Sequence, residues 1–199
     1  MSTPDAGPCA LDEAGNLYRP ISVWEPEPVT WFERRAAVNG AVLWSTFLSQ
    51  VYVSAVAVDA VGDATIAGSA SGPPSCLDVR KLAGATGTSI WGPVRWGDPT
   101  SVFSYGQDAA ITPSGDVVVL GTTRDVTAWN ALVLRLSGAG GELLGPPLLF
   151  GGGTDAYPSA LGLRGEAPVV GVASSVLGAA VVSWPEGPIP FVDRPARGR

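Results

Sequence analysis

The sequence predicts an all-β fold, an array of four antiparallel sheets of about fifty residues each. Three observations predict it. Turn glycines recur at Gly15, Gly62, Gly115 and Gly165, short apolar runs flank them, and no segment sustains a helical period free of Gly or Pro. Composition agrees. Of 199 residues 46% are hydrophobic and only 15% charged, which suits a well-buried chain, and the 26 glycines and 18 prolines suit many short connections.

The repeat can be followed element by element. Leu11–Tyr18, Val58–Thr65, Ile111–Val118 and Leu161–Pro168 align on the four glycines, each followed by Asn16, Asp63, Asp116 or Glu166. Gly beside Asn or Asp between apolar runs is hairpin chemistry, because Gly accepts positive φ without steric cost. Six residues on come Gly68, Gly121 and Gly171, with Ile21 in the first copy. A second turn glycine falls at Gly40, Gly87 and Gly140, and early, at Gly187, in the fourth copy. Trp44 and Trp91 follow it by four residues, with Leu144 in the third copy. The runs Val53–Asp59, Ala64–Gly68, Ala109–Thr112, Val117–Gly121, Ala131–Leu136 and Val169–Ala173 favour Val, Ile, Leu and Thr and read as strands. Val117–Leu120 is apolar at every position, as a strand buried on both faces would be.

Each repeat thus holds two hairpins, the four strands of a β-propeller blade. The blades are expected at 9–49, 50–99, 100–151 and 152–192, with tails at 1–8 and 193–199. Propellers have about four to eight blades, so an incomplete or open ring is expected. Another part of the polypeptide or a second copy, as a homodimer, would finish it; a closed four-blade ring is the alternative. The uncharged stretch Ala167–Trp184 reads as two buried strands and a turn rather than a membrane span, because Gly171, Ser174, Ser175 and Gly178 interrupt it in step with the repeat.

Several chemistries are excluded. The formal net charge is −6, which disfavours nucleic acid. There is no histidine, which removes Ser-His-Asp and Cys-His catalysis and every His-ligated metal site. Residues 1–8 show no charged n-region and no apolar h-region of a signal peptide.

Val79–Trp91, with its Thr86-Gly87 and Trp91, resembles the tryptophan-docking repeat of quinoprotein-like (PQQ-like) bacterial β-propellers, and Asn39–Trp44 is a second, similar copy. The segments around Gly62 and Gly115 resemble short propeller repeats of bacterial secreted and surface proteins. The resemblance extends from residue 9 to about residue 190. It departs at Ala83, where the family carries Asp. It implies a scaffold or binding platform and an extracytoplasmic location. No cofactor is expected, since nothing matches the vicinal cysteine pair of the quinone-dependent enzymes.

The acidic residues Asp12, Glu13, Asp59, Asp63, Asp116 and Glu166 fall one or two per blade and read as turn-stabilising, not as the six to eight converging oxygens that calcium needs. Trp44 and Trp91, together with Trp184, read as packing residues and Trp31 as core. Trp24, Trp96 and Trp129 fall in predicted loops, where ligand contact and capping of blade edges are both open readings. In a propeller the short A–B and C–D turns share one face. The longer B–C and D–A connections share the other: 24–28, 71–75, 95–98, 124–129 and 153–157. Variable loops on a rigid scaffold tend to carry function, so Trp24, Trp96, Arg124, Asp125, Trp129 and Tyr157 are the candidate ligand contacts, toward a protein or polysaccharide. Cys9 and Cys76 are expected on that face in adjacent blades. A disulfide there would stabilise by about 4 kcal/mol on the loop-entropy model; two free thiols are the alternative. The expected function is non-enzymatic binding or scaffolding. The alternative is part of a propeller enzyme, a quinone-dependent dehydrogenase or glycan-active lyase, with its catalytic groups in other blades.

Overall fold

The computed structural model describes residues 7–24, 28–72, 74–97, 102–151, 154–174 and 178–183. They form four antiparallel sheets in chain order. Blade 1 holds β1 (Ala10–Leu11), β2 (Leu17–Trp24), β3 (Pro28–Arg35) and β4 (Val42–Ser49). Blade 2 holds β5 (Val51–Val58), β6 (Ala64–Ala70), β7 (Cys76–Leu82) and β8 (Ser89–Trp96). Blade 3 holds β9 (Phe103–Ile111), β10 (Val117–Arg124), β11 (Trp129–Leu136) and β12 (Leu148–Phe150). Blade 4 shows β13 (Ala156–Arg164), β14 (Ala167–Ser174) and β15 (Gly178–Ser183) among the described residues. Trp184 and Gly187 lie outside them.

The repeated turns explain why the chain reverses where it does. Gly15, Gly62, Gly115 and Gly165 take φ of 77°, 88°, 90° and 60°, the left-handed region that glycine enters freely. The Asp12 and Asp59 carboxylates each accept the backbone N–H four residues on, at 2.8 Å, and the Thr112 hydroxyl replaces them in blade 3 at 3.1 Å. The Asp12 carboxyl is pushed up by burial but held down to about 2 by hydrogen bonds from Asn16 and by Arg34. In the second turn, Gly40, Gly87 and Gly141 donate to Ala36, Ala83 and Ser137. The third of these was expected at Gly140. The hairpin closed by Val117 and Leu136 in blade 3 holds one residue more than those closed by Leu17 and Arg35 in blade 1 and by Ala64 and Leu82 in blade 2, and the shift carries through.

The core lies between the sheets. Tyr18, Phe32 and Leu48 of blade 1 meet Val51, Val53, Ala64, Ile66 and Leu82 of blade 2. Leu77, Val79 and Trp91 of blade 2 meet Val117, Val119, Leu132 and Leu134 of blade 3. Val118, Leu120 and Val133 of blade 3 meet Ala156, Val170 and Val172 of blade 4. Strand β10 therefore sends alternate residues into two different interfaces, which is why Val117–Leu120 is continuously apolar. Each fully buried Val or Leu contributes about 1.5–3 kcal/mol.

A polar clasp joins blades at their outer edge. Trp44 Nε1 and Arg34 Nη1 both donate to the Gly84 carbonyl in the next blade's second turn, at 2.7 and 2.8 Å. One blade on, Trp91 Nε1 and Lys81 Nζ donate to the Gly138 carbonyl, at 3.0 and 3.2 Å. Each cation also pairs with its own blade's turn carboxylate, Arg34 with Asp12 at 2.6 Å and Lys81 with Asp59 at 2.9 Å. Blade 3 has no tryptophan at this place. Instead Glu166 of blade 4 accepts from Ser114 N and Oγ, at 2.9 and 2.7 Å, and faces Arg135 at 3.7 Å.

Two expectations are corrected. Trp31 is not core: it is 42% exposed, because among the described residues no sheet neighbours the face of blade 1 that carries it. The D–A connection between blades 1 and 2 is not long: Gln50 alone spans it, at φ 58°. Of the two readings left open for the cysteines, the structure has Cys9 and Cys76 as free thiols, Cys9 exposed and Cys76 half-buried.

Candidate functional site

On the face opposite the short glycine turns, strands of blades 3 and 4 bring aromatic side chains together. Phe103 and Tyr105 are two residues apart on β9 and so share one side of it, with ring centroids 5.3 Å apart. Trp129 opens β11, edge-on to Phe103 at 6.3 Å. Tyr157, near the start of β13, lies 6.2 Å from Trp129 and carries the group across the blade boundary. Arg124 ends β10 directly opposite Trp129 in register and sets its guanidinium carbon 5.3 Å from the indole centroid, a cation–π contact.

Polar groups border this cluster. The Asp125 carboxylate accepts from Thr127 N and Oγ1 and from Ala128 N, which lowers its pKa to about 2, and it also accepts from Asn130 Nδ2. Its oxygens are engaged within its own loop, so Asp125 builds the loop rather than offering a free carboxylate. Asp155 accepts from Trp129 N at 2.9 Å and so ties the D–A connection of blade 4 to blade 3. Desolvation, and then the Asp155 carboxylate by its charge and its hydrogen bond, push the Tyr157 hydroxyl above its ordinary pKa. Gln107 Nε2 donates to the Tyr105 hydroxyl at 3.0 Å.

The six residues picked out from sequence separate here. Arg124, Trp129 and Tyr157 form one cluster, with Asp125 in the loop beneath it. Trp96 lies elsewhere, paired with Leu77 in β7–β8 and packed against the core between blades 2 and 3. The Trp24 side chain lies outside the described residues. Phe103 and Tyr105 were not singled out, although their alternate spacing just after a D–A connection was visible. On the turn face a hollow of about 620 Å³ is lined by Val58, Asp59, Val61, Ile111, Pro113, Ser114 and Leu163. Asp59 there is paired with Lys81 and Ser114 with Glu166, so its wall is mainly apolar.

No family model and no curated protein matches the chain. Among solved structures it is similar to Hadza microbial sialidase Hz136, with a TM-score of 0.57 and 12% sequence identity, over 88% of this chain and 43% of that one. The chain thus spans less than half the length of the sialidase. The likeness shows the fold: four sheets, mostly of four antiparallel strands, that match part of a β-propeller.

Proposed function

We propose that this chain is a non-enzymatic propeller module, extracytoplasmic and without a cofactor, that binds a polysaccharide through the aromatic cluster of blades 3 and 4. The observation that carries the reading is the gathering of Phe103, Trp129 and Tyr157 on the irregular loop face, with Tyr157 44% exposed. A sugar ring offers an apolar C–H face and a rim of hydroxyls. The exposed Tyr157 ring and the half-buried Phe103 and Trp129 rings, bordered by the Tyr157 hydroxyl, Asp155 and Gln107, suit both. The kinship to quinoprotein-like repeats rests on the tryptophan clasp alone, in which Trp44 and Trp91 each reach a carbonyl of the following blade.

Affinity electrophoresis through gels cast with soluble polysaccharides tests the reading. A binding glycan should retard the wild-type chain, and Tyr157→Ala should weaken binding by about tenfold, or about 1.4 kcal/mol, with unchanged far-UV circular dichroism. Retardation that survives Tyr157→Ala and Trp129→Phe together would refute the site.

A second reading has its own support. The structural likeness to a sialidase over part of that enzyme's length favours membership in a longer propeller enzyme whose catalytic groups lie in other blades. Glycoside cleavage by this chain alone would contradict both readings.

A further inference from the structure

The glycines that recur six residues after the first turn have a structural cause. The innermost strands of blades 2, 3 and 4 each carry one extra residue against the strand beside them: Ser54 between Val53 and Ala55, Gln107 between Gly106 and Asp108, and Ser159 between Pro158 and Ala160. Such a bulge bends its strand, and here the bend presses on the glycine. A Cβ on Gly68 would run into the Tyr52 carbonyl. One on Gly121 would lie 2.6 Å from the Tyr105 carbonyl, and one on Gly171 would lie 2.6 Å from Ser159 Oγ. Blade 1 carries Ile21 at this place, and its inner strand shows no bulge among the described residues.

Each extra residue follows a tyrosine by two positions. Tyr52, Tyr105 and Tyr157 hold equivalent places near the loop-face ends of β5, β9 and β13. They also take the same side of their strands. Val51 and Val53 pack on blade 1, Gly106 lies against Ala67 of blade 2, and Ala156 packs on blade 3. The tyrosines alternate with these residues, so each turns away from the core shared with the preceding blade.

Two of the three already belong to the aromatic cluster, Tyr105 beside Phe103 and Tyr157 beside Trp129. The third stands on the adjoining strand. Ser54 Oγ, two residues beyond Tyr52, donates to the Gly106 carbonyl, one residue beyond Tyr105, and so sets the bulged stretch of β5 against that of β9. Gln107, the extra residue of blade 3, accepts from Thr122 Oγ1 and donates to the Tyr105 hydroxyl. The phenol oxygen is thereby held in place while its own proton is left to donate elsewhere. Each bulge disrupts the ladder around it, and its return beside a tyrosine in three blades points to one use that the three share.

We propose that Tyr52 continues the aromatic site into blade 2, so that the ligand is an extended glycan chain laid across the inner strands of blades 2, 3 and 4. This rests on the glycan-binding reading above and adds the length of chain that the site takes. Each tyrosine brings an apolar ring and a hydroxyl, the two features that a sugar ring meets. Packed sheets lie about 10 Å apart, so three tyrosines one blade apart span roughly 20 Å. A disaccharide covers one end of such a path, and a longer chain reaches all three.

Affinity electrophoresis through gels cast with xylan, laminarin, mixed-linkage β-glucan or pullulan, with disaccharides and hexasaccharides of the same polymers as competitors, tests this. For a polymer that retards the wild-type chain, the hexasaccharide should compete at least about tenfold better than the disaccharide. Tyr52→Leu should weaken retardation by about tenfold, with unchanged far-UV circular dichroism, and should remove most of the advantage of the hexasaccharide. Retardation that Tyr157→Ala weakens and Tyr52→Leu leaves intact would overturn the extension and leave the cluster of blades 3 and 4 as the whole site. Equal competition by disaccharide and hexasaccharide would overturn it on the wild-type chain alone, whatever the variants do to folding. If none of the polymers retards the wild-type chain, the glycan-binding reading falls and the extension falls with it.

Discussion

The shared carbonyl at the second clasp makes a quantitative prediction. Gly138 O accepts from both Trp91 Nε1 and Lys81 Nζ. Trp91→Phe removes one donor and part of a ring that is only 7% exposed. The lost hydrogen bond is worth about 1 kcal/mol, and the smaller ring about as much again in burial and packing. Lys81 still satisfies the carbonyl, so no orphan penalty arises. The single variant should therefore lose about 2 kcal/mol, or about 4–8 °C in melting temperature for a chain of this size. Lys81→Met alone leaves Trp91 on the carbonyl but strips Asp59 of its ion pair. Made together, the two changes leave Gly138 O without either donor. An unsatisfied buried acceptor costs about 1–3 kcal/mol; Gly138 is half-buried, which puts it at the low end, so the double variant should be about 1 kcal/mol worse than the sum of the singles. Urea unfolding of the four proteins, followed by far-UV circular dichroism, measures the cycle. Additivity within about 0.5 kcal/mol would refute the claim that one carbonyl serves both donors.

Other consequences are simpler to read. The depressed carboxyl of Asp12, at about 2, makes its contribution stabilising above the ordinary carboxylate range and lost as pH falls through its folded value. Between pH 5 and pH 2 the wild type should lose roughly 2 kcal/mol that Asp12→Asn does not, measured as urea midpoints at each pH. A Cβ at Gly138 would lie 1.8 Å from Gly115 O, while one at Gly145 meets nothing within 4 Å. Gly138→Ala should cost at least about 1–3 kcal/mol and Gly145→Ala should fall within about 0.5 kcal/mol of wild type, both by thermal melts. Without reductant both thiols should alkylate, the exposed Cys9 before Cys76, whose thiol burial pushes up; intact mass after timed iodoacetamide treatment reads the order.

What the sequence made legible was whatever repeats. The turn glycines show as a period because each copy needs the same positive φ, and Trp44 and Trp91 show because each clasps the same place on the following blade. What stayed hidden depends on neighbours. Trp31 looks like any strand aromatic, and its exposure follows only from there being no sheet beside that face of blade 1 among the described residues. Gly141 in place of Gly140 follows from one added residue in the preceding hairpin, which a fixed offset conceals. Trp96, Trp129 and Tyr157 share loop-edge positions, but only the packing of blade 3 on blade 4 decides which of them meet. Phe103 and Tyr105 escaped because they open a strand in a place where the repeat carries no marker.

The break in the repeat and the candidate site occur at the same boundary, and the physical connection between them can be argued. Blades 1 and 2 each hold the next blade through a buried or half-buried tryptophan on the turn side. Blade 3 lacks that tryptophan and is held to blade 4 there by the more exposed Glu166, Ser114 and Arg135, an arrangement worth less because water screens it. On the loop side Trp129 and Asp155 join the same two blades, through the Tyr157 ring and the Trp129 amide. The aromatic cluster is thus both a candidate ligand platform and part of the fastening of the weakest boundary. A ligand that spans Trp129 and Tyr157 must then stabilise blade 4 as it binds, by an amount set by its concentration relative to Kd. Hydrogen exchange should show this as slower opening of β13 and β14 in the presence of a binding glycan, with β2 and β3 unchanged. Uniform protection across all four blades would mean that the ligand reports only on global unfolding, and the link between site and boundary would fail.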